Sequence, residues 1–352
     1  MKFLADYTAV TFTGIDKVFD VPGVFVRFTM PFVGSTVTIR WYGLLIFLGF
    51  TLAVLFGGRM AYKWKMDLNK MLDVLIYGTF GGIIGARIYY VLFDWGSYKD
   101  DLLSVFKLWE GGLAIYGGLI GGLIAAYITC KFNKLNFYNL LDLAGMSFLI
   151  GQGIGRWGNF TNQEAFGTNS DLPLGMWSEK VADYLYKNQA AFLEQGIVVD
   201  PMKPVHPTFL YEFVWCLLGF LVLYIVCKKA RKFSGQIILM YGVWYGAGRF
   251  VFEGLRTDSL YIWNTNIRMS QLLSLLLVLF CLVLLIVKLI KYTKHPVPIE
   301  GVDFFPDEEK KNEANTVSKA TAEAESGSEI EDTTEAEDST ETQTAEEMYL
   351  RV

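Results

Sequence analysis

Charged residues make up only 19% of the 352-residue chain, against 53% hydrophobic and 16% aromatic, and this shortage excludes an ordinary soluble fold. Cysteine is sparse as well. The four present, Cys130, Cys216, Cys227 and Cys281, lie in apolar runs without C-x-x-C spacing, which argues against a disulfide framework or a zinc site and for core packing. No P-loop Lys-Ser/Thr follows the glycine clusters, so they do not read as a nucleotide loop. Residues 1–40 lack the basic start and continuous apolar core of a signal peptide. They alternate apolar and polar side chains between Gly and Pro breaks and read as an external N-terminal arm on a membrane surface. From Glu300 onward large apolar residues nearly vanish, and the Glu-, Thr-, Ser- and Ala-rich remainder predicts a disordered acidic tail. That tail distorts the overall balance: the net −5 divides into +8 for residues 1–299 and −13 for residues 300–352.

What the chain has in abundance is apolar length. About 20 apolar helical residues cross a hydrocarbon core, and runs of that kind recur at Tyr42–Tyr62, Met71–Phe93, Gly112–Lys131, Leu140–Gly155, Phe209–Cys227, Gln236–Phe252 and Ser270–Leu289. The fourth is the shortest. The expected fold is an all-α integral membrane protein of about seven transmembrane helices over residues 41–292, with an external loop region at 152–208 and a cytoplasmic tail at 293–352. Lysines and arginines fall in alternate loops, at Lys63/Lys65/Lys70, Lys131/Lys134, Lys228/Lys229/Arg231/Lys232 and Lys288/Lys291/Lys294, so those loops face the cytoplasm and the N-terminus lies outside.

Polarity retained inside the spans then points to function. Tyr42, Arg87, Tyr116, Arg249 and Glu253 all fall toward the outer leaflet, and an ionisable group within a span usually faces a bundle interior or wet cavity. Arg249 and Glu253 are four residues apart and share a helix face, either as a stabilising pair or as an arginine held ready for an anion. Glycines at 78, 81, 82, 85, 117, 118, 121 and 122 permit close helix approach. The densest polar cluster runs Gly155-Arg156-Trp157-Gly158-Asn159-Phe160-Thr161-Asn162-Gln163-Glu164-Ala165-Phe166-Gly167, just outside the fourth span, with a planar guanidinium suited to phosphate oxygens. A second cluster, His206-Pro207-Thr208-Phe209-Leu210-Tyr211-Glu212, opens the fifth span; Arg256, Asp258, Arg268, Ser270 and Gln271 surround the entry to the seventh.

The Gly155–Gly167 stretch resembles the signature of the bacterial prolipoprotein diacylglyceryl transferases. Trp41-Tyr42-Gly43, Gly111-Gly112-Leu113 with Gly117-Gly118, His206-Pro207-Thr208 with Tyr211-Glu212, and Arg249-Phe250 with Glu253 fall in the order of that family, over roughly residues 38–290. The resemblance implies a bacterial plasma-membrane enzyme whose site faces the outer leaflet. It would move the diacylglyceryl group of phosphatidylglycerol onto the lipobox cysteine of a preprolipoprotein, leaving a thioether and glycerol phosphate. Neither a metal nor an organic cofactor is implied, and no nucleic-acid partner. Because the acceptor brings its own sulfur, the lack of a recognisable Ser-His-Asp set or H-E-x-x-H fits the chemistry.

By that resemblance Arg156 and Arg249 handle phosphate, Asn159 and Glu164 shape the headgroup site, Glu253 orients Arg249, and Tyr42, Arg87 and His206 complete the lipid contacts. His206 also reads as a hydrogen-bonded helix start before Pro207, and Gly167 as a turn requirement. Relatives carry a histidine, proposed as the base, where this chain has Tyr116. A tyrosine is a poor base unless cations lower its pKa, so Tyr116 is either that base or a headgroup-positioning group that leaves proton removal to a carboxylate or to water. A transporter would also use intramembrane arginines, yet no inverted repeat is visible and the polar groups crowd one membrane face. A non-catalytic scaffold leaves the Gly155–Gly167 cluster without a reason. A two-tailed lipid leaves the bilayer only at about 0.8 kcal/mol per CH₂, which predicts a lateral opening between helices.

Overall fold

The computed structural model describes residues 7–29, 36–257 and 268–295; the acidic tail and Asp258 lie outside them. Each apolar run becomes a helix, because in lipid the backbone can satisfy itself only within the segment. The helices are α1 (Trp41–Lys63), α2 (Leu68–Phe93), the single turn α3 (Trp95–Tyr98), α4 (Ile115–Phe132), α5 (Phe137–Asn162), α6 (Glu179–Glu194), α7 (Thr208–Lys229), α8 (Gln236–Glu253) and α9 (Met269–Lys294). Five of them, α1, α2, α4, α7 and α9, are long and apolar enough to cross a membrane. Phe47, Leu55, Phe80, Leu119 and Phe280 on these helices point outward, as lipid-facing side chains do. α5 and α8 are also long, at 26 and 18 residues, but carry Asp142, Gln152, Arg156 and Asn159 or Gln236, Arg249 and Glu253.

Two tight turns of the same kind close the lysine-rich end. After α1, Lys65 at φ 53° lets the Met66 N–H reach the Ala61 carbonyl at 3.0 Å; after α4, Lys134 at φ 55° lets the Leu135 N–H reach Cys130 at 2.9 Å. Both are Schellman closures. An Asx cap follows each at once: Asp67 accepts from the Asn69 and Lys70 N–H groups, and Asn136 from those of Tyr138 and Asn139. The chain therefore reverses direction sharply at each turn. α2 and α4 press together through facing glycines, so that a Cβ at Gly81, Gly85, Gly117 or Gly121 would run into the opposite helix. Gly121→Val is expected to destabilise the chain by about 1–3 kcal/mol through overpacking, read as a lower melting temperature in detergent. This pair meets α1 and α5 only lightly, whereas α1 packs along α5, and α5 along α7 and α8.

The chain is mostly helical and not all-α. The period-two alternation of the arm is strand pattern: β1 (Tyr7–Phe12) and β2 (Ile15–Pro22) form a hairpin, and β3 (Val24–Thr29) pairs with β4 (Thr36–Arg40). β5 (Met176–Ser178) adds antiparallel to β1, giving the order β2-β1-β5. The arm shares a core with the 163–208 region and α6 through Val10, Val21, Phe166, Met176, Leu185 and Val205. This β-cap sits on the helix ends opposite the lysine-rich turns. A second core joins α1, α5, α7 and α8 through Met60, Trp64, Met146, Leu149, Leu223 and Ile237. All four cysteines are buried and free, as packing residues should be.

Candidate active site at the capped end of the bundle

α5 is longer than its apolar pattern predicts, and this moves the boundary of the loop region. Gln152, Arg156 and Asn159 interrupt the hydropathy but not the backbone, so Gly155–Asn162 forms the last two turns of a helix and not an external loop. The helix ends with Gln163 at φ 50°, which brings the Glu164 N–H to the Asn159 carbonyl at 3.1 Å. That closure folds Glu164 back on the helix end: its Oε1 accepts from Asn159 Nδ2 at 3.1 Å and Asn162 Nδ2 at 3.4 Å. Gly158 admits the Tyr42 ring, since a Cβ there would stand 2.9 Å from Tyr42 Cδ2. Tyr42, Asn159 and Glu164 thus lie at the same end of α5 as Arg156.

Arg156 is held by a residue that its own segment does not reveal. Its Nη2 lies 3.0 Å from Oε2 of Glu212, on the first turns of α7, and the two side chains are 21% and 8% exposed. On α8, Arg249 Nη2 lies 2.7 Å from Glu253 Oε2, with 25% and 3% exposure. α7 runs antiparallel to both α5 and α8, so the two pairs occupy the same end of the bundle. In each, a buried carboxylate fixes a guanidinium that keeps an open side. Arg268 Nη1 also donates to the Glu253 carbonyl. One turn inward from Arg156, Gln152 Nε2 donates to the Tyr241 hydroxyl at 2.7 Å, a polar wall the sequence reading missed.

Other predicted site residues have different surroundings. Arg87 is 5% exposed, and its guanidinium donates to five backbone carbonyls: Nε to Val105 at 2.7 Å, Nη1 to Gly111 at 2.7 Å and Gly112 at 3.1 Å, Nη2 to Ser104 at 2.7 Å and Lys107 at 3.4 Å. An arginine has five N–H donors, so none is left over for a lipid phosphate. Arg87 instead staples the 104–112 loop. Tyr116, in the first turns of α4, is 55% exposed, and its hydroxyl makes no hydrogen bond to a described residue; it is not brought into contact with Arg156 or Arg249. His206 belongs to a knot of strands. Gly167 N–H donates to the His206 carbonyl at 3.0 Å, His206 N–H to Thr168 at 3.0 Å, and Thr168 N–H to Leu255 at 2.8 Å. Its Nδ1 lies 3.5 Å from the Tyr211 hydroxyl, and burial pushes the imidazole below its usual pKa, so it is neutral at pH 7. Gly167 is small because a Cβ would stand 2.7 Å from His206 Cβ and 2.9 Å from the Leu255 carbonyl. Close approach, not turn geometry, is its requirement.

Beside Trp157 a groove of about 590 Å³ opens between the β-cap and the helices, walled by Phe12, Phe19, Trp41, Trp157, Phe160 and Phe209. Among the described residues no cluster of His, Cys, Asp and Glu could hold a metal ion. The arrangement offers two braced cations, carboxylates and an apolar wall, which suits an anionic headgroup with a hydrocarbon attached.

Comparison with known proteins agrees. The family model for prolipoprotein diacylglyceryl transferase matches residues 31–287. The phosphatidylglycerol–prolipoprotein diacylglyceryl transferases of Staphylococcus aureus strains Newman and USA300 are each 39% identical over 255 residues, covering 72% of this chain and 87% of theirs. The same enzyme of strain Mu50 matches at the same identity and coverage. With more than half of its length matched by the family model and these relatives 39% identical, the chain belongs to the prolipoprotein diacylglyceryl transferase family.

Proposed function

We propose that this chain transfers the diacylglyceryl group of phosphatidylglycerol to the cysteine of a prolipoprotein, the first step of lipoprotein maturation. The observation that carries the reading is the pairing of Arg156 with Glu212 and of Arg249 with Glu253 at one end of the bundle, each guanidinium partly open. The cysteine sulfur attacks the sp³ glycerol carbon bonded to the phosphate. A carbon–sulfur bond forms, the carbon–oxygen bond breaks, and its electron pair leaves on the phosphate oxygen while the thiol proton passes to a base. Arg156 and Arg249 stabilise the charge that grows on the leaving phosphate. Asn159 and Glu164 line the headgroup site with Tyr42 beside them, and the apolar groove next to Trp157 takes hydrocarbon. Arg87 is a structural staple and His206 a structural knot residue in this proposal.

The membrane arrangement follows from the same reading. All seven long helices, α5 and α8 included, span the bilayer of a bacterial plasma membrane. The lysine-rich turns face the cytoplasm by the positive-inside rule, and the β-cap and the arginine pairs lie at the outer leaflet. A lipid enters sideways at the seam where the α2–α4 pair meets α1 and α5 only lightly. The test is reconstitution in phosphatidylglycerol liposomes with a lipobox peptide: a diacylglyceryl mass gain on the peptide cysteine is expected, and an unmodified peptide rejects the proposal. Tyr116 is assigned to the thiol or headgroup step. Tyr116→Phe is expected to lose about a hundredfold in turnover while still binding lipid, and near-normal thioether formation would remove Tyr116 from the chemistry.

A further inference from the structure

α7 and α8 carry the same short pattern, a tryptophan with glycine four residues later: Trp215 with Gly219, and Trp244 with Gly248. The two indoles stack across the helix interface with centroids 4.6 Å apart and planes 26° from parallel. Each then donates to the other's backbone. Trp215 Nε1 reaches the Trp244 carbonyl at 3.0 Å, and Trp244 Nε1 reaches the Trp215 carbonyl at 3.0 Å. A carbonyl has two lone pairs, so each can close its own helical turn and also accept the indole. Glycine makes the notch. A Cβ on Gly219 would strike the Trp244 indole nitrogen, and one on Gly248 the Trp215 nitrogen. The result is a reciprocal clasp with approximate two-fold symmetry.

Its place gives it a consequence. Trp215 follows Glu212 by three residues, and Gly248 directly precedes Arg249. Trp215 also meets Phe252, the neighbour of Glu253, edge-on at 6.0 Å. α5 leans on the same level, where a Cβ on Gly153 would touch Cys216 Cβ at 3.3 Å. A slide of α7 along α8 displaces both indole bonds together, because each residue is donor to the other and acceptor from it. Packing alone gives weaker axial control, since apolar surfaces in lipid lack a directional bond.

We propose that the Trp215–Trp244 clasp is the positioning device of the site: it fixes the axial register of α7 on α8 and so the spacing of the Arg156–Glu212 and Arg249–Glu253 pairs. The tryptophans are positioning residues and touch no substrate. The proposal rests on the transfer reaction above, and its test separates the two. Thioether formation by the full chain in phosphatidylglycerol liposomes is measured for Trp215→Phe, Gly248→Ala and their combination. Each single change removes the same indole bond and is expected to lower kcat about tenfold with KM for the lipid nearly unchanged; the melting temperature stays close to wild type in Trp215→Phe and falls in Gly248→Ala, where the added Cβ overpacks the indole. The combined variant falls no further, because the bond is already lost. Trp215→Phe/Trp244→Phe removes both bonds, keeps both rings, and falls about a hundredfold. Wild-type kcat in that last variant overturns the proposal, as does a loss that tracks melting temperature or appears only in KM. Independently of any activity, spin labels at Val214 and Val251, both exposed, should give a narrow distance distribution that broadens in Trp215→Phe/Trp244→Phe. An unchanged distribution overturns the clasp even if the wild type forms no thioether, whereas broadening with an inactive wild type rejects the reaction assignment and with it the clasp's catalytic purpose.

Discussion

Arg156→Gln is expected to lower thioether formation by about a thousandfold, the loss that accompanies removal of a preorganised charge from a developing anion. The substitution acts twice. It withdraws the cation from the leaving phosphate and it strands Glu212, whose side chain is only 8% exposed and whose partner is 3.0 Å away. Removing one member of such a pair costs about 3–5 kcal/mol, because the remaining charge is buried without compensation. A companion variant separates the effects. In Arg156→Gln/Glu212→Gln the stranded charge is gone, so the melting temperature should recover while turnover stays near the single-variant level. Arg156→Lys keeps a charge but not the planar two-pronged donor and should recover only a small fraction. If the double variant regains turnover, Arg156 serves only to neutralise Glu212 and the phosphate role is wrong.

Glu212 also shows where sequence reading stops. The rule that an ionisable residue inside a span is functional by default applied to it as fully as to Arg249, yet its partner stands 56 positions away on another helix. Arg249 and Glu253 were paired in advance because helical periodicity puts residues four apart on one face. No local period links Arg156 to Glu212. The same rule misdirected Arg87 for the opposite reason: its partners are backbone carbonyls between Ser104 and Gly112, and carbonyls carry no signature in a sequence. The alternation across residues 1–40 suggested an arm and not strands; the β-cap depends on β5, which pairs with β1 across more than 160 residues. The five helices long and apolar enough to cross a membrane were legible as apolar runs, since lipid leaves a long apolar segment few choices besides helix.

The two helices that fell short of clear hydropathy, α5 and α8, are the ones that carry the arginines of the site. This follows from placement. α5 packs against α1, α7 and α8 and shows little of itself to lipid, so polar side chains can face neighbours. A helix that must be apolar all round cannot host such chemistry; one surrounded by others can.

Asp142→Asn is expected to destabilise the chain by about 3–5 kcal/mol while leaving the turnover of each folded molecule close to normal. Asp142 and Arg231 form a pair at the lysine-rich end with side chains 0% and 1% exposed and a closest approach of 2.7 Å. The carboxylate also accepts from the Gly235 N–H at 2.8 Å and the Ile238 N–H at 2.9 Å. Gly235 precedes α8 and has no side chain to cap it, so Asp142 caps that helix from α5 and meets the positive end of its dipole. Arg231 donates further to Asn139 Oδ1 and lies over the Trp64 ring at 4.6 Å. This pair is more deeply buried than either arginine–carboxylate pair at the capped end, and it is therefore assigned to stability and not to the proposed chemistry. Arg156 and Arg249 keep an open side for a ligand, whereas here both carboxylate oxygens are filled from within the protein. Along α5, Asp142 and Arg156 are fourteen residues apart, about 21 Å at the helical rise, too far for a direct effect. Asp142→Asn/Arg231→Met, which removes both charges and keeps an acceptor for the α8 cap, should restore part of the stability. Thermal melting and specific activity of the same preparations decide the matter: if Asp142→Asn keeps its melting temperature but loses turnover, the far end of the bundle is coupled to the reaction and the division drawn between lock and site fails.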